Sequence, residues 1–474
     1  MEQKETTLPK YNKSFFTIAI EASIIAMIVV IPTIFYPRVI DIFHPIKNLT
    51  FSLLVILGLV LWGFNVLKKE EFKIIPNSLN IPVLSFIIIC VLSLIWSNSP
   101  FVSLKELPLF LAGPLLYFII VNNIYNGRQI NRIIGAVIIV GALFGIYGIL
   151  QYNGIDFSFW IGNYGRGKVF GLFGNAGYFA EYLTLILPIA VSLFLVSKNK
   201  ITKSLFLIGI LPISSAIVLT LTRTPYLSIV ISFIFMLFLF IISWGKEFFK
   251  ENKKIFIVIF LAIIIIISLI VVPNPLNKPG TVISKIKSRI SVDQLTENHN
   301  IRRRIATWKF TINLIKDHPL LGSGIGTFKY NSLAYQAKFF DQGDNRALYP
   351  YGFADRAHNE YLQLWAELGI IGLIIFIWLI FAYFNYGLKI LKREKDRYKQ
   401  GIIIGLMGSV TAFLVDSLLW FPLHHSFTSF LFWLCLGLLV VIGCKEDEAV
   451  YKSKSNKKLT NPKTIPANIK IFND

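Results

Sequence analysis

LTRTPYLSIVISFIFMLFLFIISW, residues 221–244, decides what kind of molecule this chain makes. From Pro225 to Ser243 it carries no charge, and as a helix it is long enough to cross a hydrocarbon layer about 30 Å thick. Its Ile, Leu and Phe side chains do not alternate with polar ones as they would along a barrel strand. Backbone amides in lipid must be satisfied within their own segment, so the run reads as a membrane helix. Just before it stands Arg223. An arginine near hydrocarbon costs roughly 2.5–3.5 kcal/mol at mid-membrane and less at the rim, which makes it a functional candidate, with snorkelling to the interface as the alternative.

The same pattern recurs along the chain. Twelve spans are expected, at 15–36, 51–67, 81–97, 104–121, 130–151, 178–196, 204–222, 225–243, 255–272, 359–384, 401–420 and 426–443. With 55% hydrophobic residues and a mean hydropathy of +0.64, the composition excludes an ordinary soluble protein and predicts an all-α polytopic membrane protein. Alternate connections are short and basic, at Lys68-Lys69, Arg128 with Arg132, Lys198–Lys203, Lys246–Lys254 and Lys389–Lys399. Those connections belong on the cytoplasmic side with both termini, and the intervening loops face outward. The expected layout is one transmembrane domain over 1–444, multi-pass in the plasma (inner) membrane, and a basic cytoplasmic tail over 445–474. That tail suits anionic lipid head groups, and no nucleic-acid partner is expected. The first span reads as a retained anchor, with no small-residue cleavage site after Ile31-Pro32. Cys90, Cys435 and Cys444 lie in or beside apolar spans at unrelated spacings and suggest neither disulfides nor zinc.

One long polar segment, 273–357, falls between the ninth and tenth spans, on the expected outer face. It holds 13 Lys/Arg against 6 Asp/Glu on the side where orientation does not call for cations, so an anionic partner is the simplest explanation. Ile301, Ile305, Trp308, Ile312 and Ile315 recur at helical spacing and predict an amphipathic helix over about 301–316, lying against the membrane rim. Asp317-His318-Pro319 should stop it, with His318 at its end. Gly322, Gly324 and Gly326 then read as a tight turn in preference to a nucleotide cradle, which would need a βαβ setting. In the triplet Arg302-Arg303-Arg304, Arg304 shares a helical face with Trp308 and is the arginine best fixed in orientation.

Among titratable residues His358, at the exit of this segment, suits a general base near neutral pH; a structural histidine is the alternative. The pair His424-His425 is weak evidence for metal, and Asp341-Gln342-Gly343-Asp344 reads as a turn sooner than a cation site. Glu181, Glu367 and Asp416 are intramembrane acids that should face the bundle interior, to position substrate or to pair with Arg223.

The blocks Arg304-x-x-x-Trp308, Asp317-His318-Pro319-Leu320-Leu321-Gly322-x-Gly324-x-Gly326-x-Phe328 and His358-Asn359-x-Tyr361-Leu362-Gln363 with Glu367-x-Gly369-x-x-Gly372 resemble the O-antigen ligase and O-antigen polymerase superfamily. Gly171-Leu172-Phe173-Gly174-Asn175-Ala176 and Arg223 are similar to the same family's layout, so the resemblance covers about 170–385. It implies a glycosyltransferase of the GT-C type that uses undecaprenyl-diphosphate-linked glycan on the outer face of the membrane, with no cofactor and no essential metal. By position it implies that Arg223 and Arg304, with Arg303 as a substitute, engage the diphosphate and that His358 serves the acceptor. Trp308, Asn359, Glu367 and Asp416 would support them.

Elementary chemistry agrees. Attack of a hydroxyl on an anomeric carbon needs a base on one side and charge stabilisation of the departing phosphate on the other. The expected partners are the lipid-linked glycan donor, a lipid or glycan acceptor, and membrane lipids. Ligase and surface-polysaccharide polymerase share these motifs, so the polymerase stands as the alternative. A polytopic transporter of lipid-linked glycan stands behind it, because it would show internal repeats and broken helices at mid-membrane.

Overall fold

The computed structural model describes residues 15–39, 41–70, 72–157, 169–253, 299–341 and 353–459, the last fifteen as backbone alone. Among the described residues the elements are helical: α1 (Phe15–Thr33), α2 (His44–Lys69), α3 (Asn80–Leu92), α4 (Pro100–Asn123), α5 (Gly127–Tyr152), α6 (Ala176–Val196), α7 (Lys200–Leu219), α8 (Arg223–Trp244), α9 (His299–Asp317), α10 (Phe328–Asp341), α11 (Glu360–Arg393), α12 (Arg397–Asp416) and α13 (Ser426–Leu459), with a 3-10 turn at Pro422–His424. Side-chain caps explain several starts: Asn126 and Gln129 form a reciprocal capping box on α5, while Asn175, Asn199 and Asp396 accept first-turn amides of α6, α7 and α12.

Ten of these helices are long and apolar enough to cross a membrane, making the chain a multi-pass membrane protein. Eleven of the expected spans correspond to helices; the ninth, 255–272, lies outside the described residues, as do 273–298 and 342–352. Two expectations are corrected. The third span, read as 81–97, is a 13-residue helix of about 20 Å, followed by a turn. The eleventh, read to 420, ends at Asp416, which frees Trp420 to sit in a folded connection.

Inside the bundle lie α13, α6 and α12, whose apolar windows are 94%, 83% and 78% buried, against 22% for α7 at the periphery. Lipid offers no hydrophobic drive between helices, so close approach and hydrogen bonds hold them together. Small residues of α12 supply both: Gly405 packs on the Ile189 backbone, Ser192 Oγ donates to Gly401 O at 2.5 Å, Ser409 Oγ to Leu185 O at 2.6 Å, and Ser232 Oγ to Gly408 O at 2.7 Å.

The helix predicted around 301–316 is α9, but its buried stripe differs from the expected one. Ala306, Phe310, Leu314 and Ile315 form a satellite core with Phe328, Ala357 and Ala366, whereas Ile305 and Ile312 are exposed. The reason is local: packing against α10 and α11 selects the 306/310/314 stripe with Ile315 and leaves Ile305 and Ile312 outward.

Candidate active site

The platform of the site is a helix deliberately broken. Gly369 in α11 has φ 69° and ψ −178°, a conformation open to glycine alone, and a Cβ there would lie 2.0 Å from Leu320 O. The break releases carbonyls of Ala366 and Glu367 and amides of Ile370 and Ile371. The turn after α9 answers all four: Ser323 N donates to Ala366 O (2.9 Å), Gly324 N to Glu367 O (2.9 Å), Ile370 N to Pro319 O (2.9 Å) and Ile371 N to Leu320 O (3.5 Å). The expected glycine turn is therefore present, with positive φ at Gly322, Gly324 and Gly326.

Its amides are committed inside the protein. Gly322 N donates to His318 O, Gly326 N to Glu367 Oε2 at 2.7 Å, and Phe328 N points to Glu367 Oε1 at 3.3 Å. The fully buried Glu367 thus occupies the place an outside anion would take. Gln363 Nε2 adds a bond to Glu367 Oε1 at 3.2 Å, and its Oε1 accepts from Ala357 N at 3.0 Å. His424 Nδ1 lies 3.1 Å from Glu360 Oε1, and its Nε2 lies 3.8 Å from Glu367 Oε2. Gln363 Nε2 is also 2.9 Å from His424 Nε2, a contact that suits a neutral ring. Burial and Arg356 oppose protonation too, yet with a carboxylate against each nitrogen we assign the charged ring; Glu360 and Glu367 push it up to about 9. His424 is structural.

Next to this clasp stands His358. It has φ 51°, in the left-handed region that side chains avoid at a cost of roughly 1–3 kcal/mol, and its neighbours hold it there. On one side Ala357 N is bound by Gln363 and Ala357 O accepts from Trp308 Nε1 at 3.1 Å. On the other, Asn359 Oδ1 caps α11 through Leu362 N (3.0 Å), Asn359 Nδ2 donates to Leu418 O (3.1 Å), and Glu360 N donates to Ser417 O (2.8 Å). His358 Nδ1 is buried with no hydrogen-bond partner. Burial and the positive charges of Arg304 and Arg303 push its pKa down to about 4, against Asp355, so the ring is neutral at pH 7.

Arg304 reaches the same place from α9. Its guanidinium lies over the Trp420 ring, 5.0 Å from the centroid, and His358 meets Trp420 edge-on at 5.9 Å and Phe421 at 5.2 Å. Burial lowers the Arg304 pKa, and the neighbouring Glu181 opposes that shift. Glu181 is fully buried, and neither carboxylate oxygen has a hydrogen-bond partner; Trp420 Nε1 is likewise buried and unbonded. Buried polar atoms without partners call for an occupant, and here they gather around one cation and one neutral imidazole.

The remaining candidates fall at the same end of the bundle. Arg223 is the first residue of α8, a poor place for a cation in terms of the helix dipole, so helix stability does not explain it. The preceding turn is strained at Leu221, φ 54°. One turn further along α8, Ser228 Oγ donates to Asp416 Oδ1 at 2.8 Å, tying α8 to the end of α12. Arg302 is exposed and Arg303 half-buried, while Arg304 is the member of the triplet on Trp420. Two histidines have structural surroundings, His318 at the helix end where it was expected. His318 N closes the end of α9 on Leu314 O and Ile315 O, and its ring faces Asn98. His425 packs on Tyr178 at 4.1 Å, and burial, with His44 and Arg356 nearby, keeps it neutral. Among the described residues no group of three His, Cys, Asp or Glu side chains could hold a metal ion; the Asp341–Asp344 turn lies mostly outside them. Sequence reasoning missed Trp420, Phe421 and Tyr178. The available signal was Trp420-Phe421-Pro422, two aromatics before a proline at a span end.

The class the geometry defines is a multi-pass helical membrane protein that gathers arginine, neutral histidine and unanswered polar atoms at one end of its bundle. Comparison with known proteins narrows the class. The profile of the family described as O-antigen ligase matches residues 205–377, which include Arg223, Arg304 and His358. A candidate polysaccharide ligase of Rickettsia conorii is 33% identical over 98 residues, 20% of this chain and 22% of that protein. Similar proteins of Rickettsia prowazekii and Rickettsia felis, also named as candidate polysaccharide ligases, are each 32% identical over 94 residues, with the same shares. These alignments span about a fifth of the relatives' length. Over that stretch the chain is similar to the O-antigen ligase family and to these polysaccharide ligases, which supports the resemblance read from its motifs.

Proposed function

We propose that the chain is a GT-C-type glycosyltransferase of O-antigen ligase type, transferring a glycan from an undecaprenyl-diphosphate carrier to an acceptor hydroxyl on the outer face of the plasma membrane. His358 takes the acceptor proton as the acceptor oxygen forms its bond to the anomeric carbon. The bond from that carbon to the phosphate oxygen breaks, and the diphosphate leaves with the electron pair. Arg304 and Arg223 stabilise the charge that develops on it, through the planar fork that suits phosphate oxygens, so the step needs no metal. Arg303 stands behind Arg304 as a second cation. The observation that carries this reading is His358 itself: strained, neutral and with an unbonded ring nitrogen, one aromatic ring away from Arg304.

The test is transfer in vesicles containing the purified protein, an undecaprenyl-diphosphate-linked saccharide and an acceptor. His358→Ala should abolish acceptor-dependent release of the carrier while carrier binding persists. Transfer at the wild-type rate in that variant would remove His358 from the chemistry. A single addition to the acceptor identifies a ligase and a lengthening glycan a polymerase; movement of the lipid with its glycosidic bond whole identifies a transporter.

A further inference from the structure

At the end of the bundle opposite the site lies a cleft of about 290 Å³ lined by Pro76, Asn77, Ser78, Tyr386, Lys389 and Arg393, with Ile390 and Gly443 at its floor. Three elements establish where it sits. α11 starts at the site with Glu360 and runs 34 residues to Arg393. α13 starts beside His425 and reaches Gly443 at the cleft. The turn after α3 touches the glycine loop, with Asn98 N donating to Ser323 O at 3.0 Å, whereas the residues before α3 line the cleft.

We infer that this cleft binds the phosphate head group of an anionic phospholipid. Lys389 and Arg393 are four residues apart on one helical face, and both line the cleft, so it presents two cationic side chains to whatever enters it. Lys389 is exposed and makes no ion pair among the described residues. Both belong to the last turns of a membrane-spanning helix, the depth at which head groups lie, and basic pockets between spans are a recurrent way of holding them.

The cleft is also built. Asn77 fixes the loop wall from within, accepting from Leu79 N at 2.8 Å and from Tyr117 Oη at 2.8 Å, and donating to Asn80 Oδ1 at 2.7 Å. That leaves the exposed Ser78 beside it as the polar group facing a head-group hydroxyl. A Cβ on Gly443 would stand 2.5 Å from both Tyr386 Oη and Ile390 Cδ1, so any side chain there would disturb the floor. Pro76 and Ile390 give the apolar surface that the glycerol backbone of a lipid would meet and a free phosphate would not use.

The experiment uses the full-length chain in neutral detergent, with phosphatidylglycerol or phosphatidylcholine added in mixed micelles and retained lipid counted by native mass spectrometry. Phosphatidylglycerol should be retained after phosphatidylcholine is lost, and Lys389→Gln should weaken retention about fivefold, the effect of one cation near a head group. Lys392→Gln, one residue outside the cleft lining, should leave retention unchanged, and so should His358→Ala, which separates this site from the proposed catalysis. Equal retention of the two lipids, no effect of Lys389→Gln, or equal loss in Lys392→Gln would each overturn the inference. Displacement by millimolar inorganic phosphate would overturn the lipid assignment in favour of a soluble anion.

Discussion

Glu367 and Glu181 are both carboxylates buried completely at the same end of the bundle, and their surroundings could hardly differ more. Glu367 is met by the amides of Gly326 and Phe328, the side chain of Gln363 and His424; Glu181 has no hydrogen bond to either oxygen. One is the keystone of a finished clasp. The other belongs to a place left unfinished beside Arg304. Folding completes the first environment and leaves the polar atoms of the second unanswered.

The contrast can be broken at either end. Its largest expected effect is at the helix break: Gly369→Ala drives a Cβ into Leu320 O, and no folded protein should be recovered in detergent. Glu367→Ala strands buried amides and His424, and should cost roughly 3–5 kcal/mol in denaturation measurements. Glu181→Gln removes no hydrogen bond, so the same measurement should show no loss of stability while transfer falls; an equal loss of stability would erase the distinction. Next comes Arg304→Lys, which keeps the charge but not the planar stacking on Trp420, a contact worth about 0.5–2 kcal/mol, and should lower transfer with the fold intact.

A pH profile probes the unfinished side without mutation. Only neutral imidazole accepts a proton, and His358 is held down to about 4, so transfer should persist as pH falls through 6.5 and decline only near 4. His424 runs the opposite way: its pKa is raised to about 9, so its stabilising charge is full below 6.5 and lost as pH rises through 9. The smallest effect is Trp308→Phe, which removes one hydrogen bond to Ala357 O and should cost about 1 kcal/mol.

Much of this was legible in the residues. Apolar runs located the spans because helices satisfy their own amides in lipid, and the i, i+4 relation of Arg304 to Trp308 singled out the member of the triplet that lies over Trp420. Helix ends were read less well. Trp420 was assigned to a span because aromatic side chains count as hydrophobic, yet the chain leaves the helix at Asp416 and returns Trp420 to Arg304. The stripe of Ile305 and Ile312 misled for a related reason: α9 has apolar residues on two faces, and tertiary packing chose the one with Phe310. The glycine turn was recognised as a turn, but nothing local reveals that its partner is a gap in a helix more than forty residues away.

That pairing of turn and gap sets a rule for sequence change. Residues 319–324 meet 366–371 bond for bond, so a residue inserted or deleted in either stretch would put four hydrogen bonds out of step at once. Within lineages of this fold the two stretches should keep their lengths together.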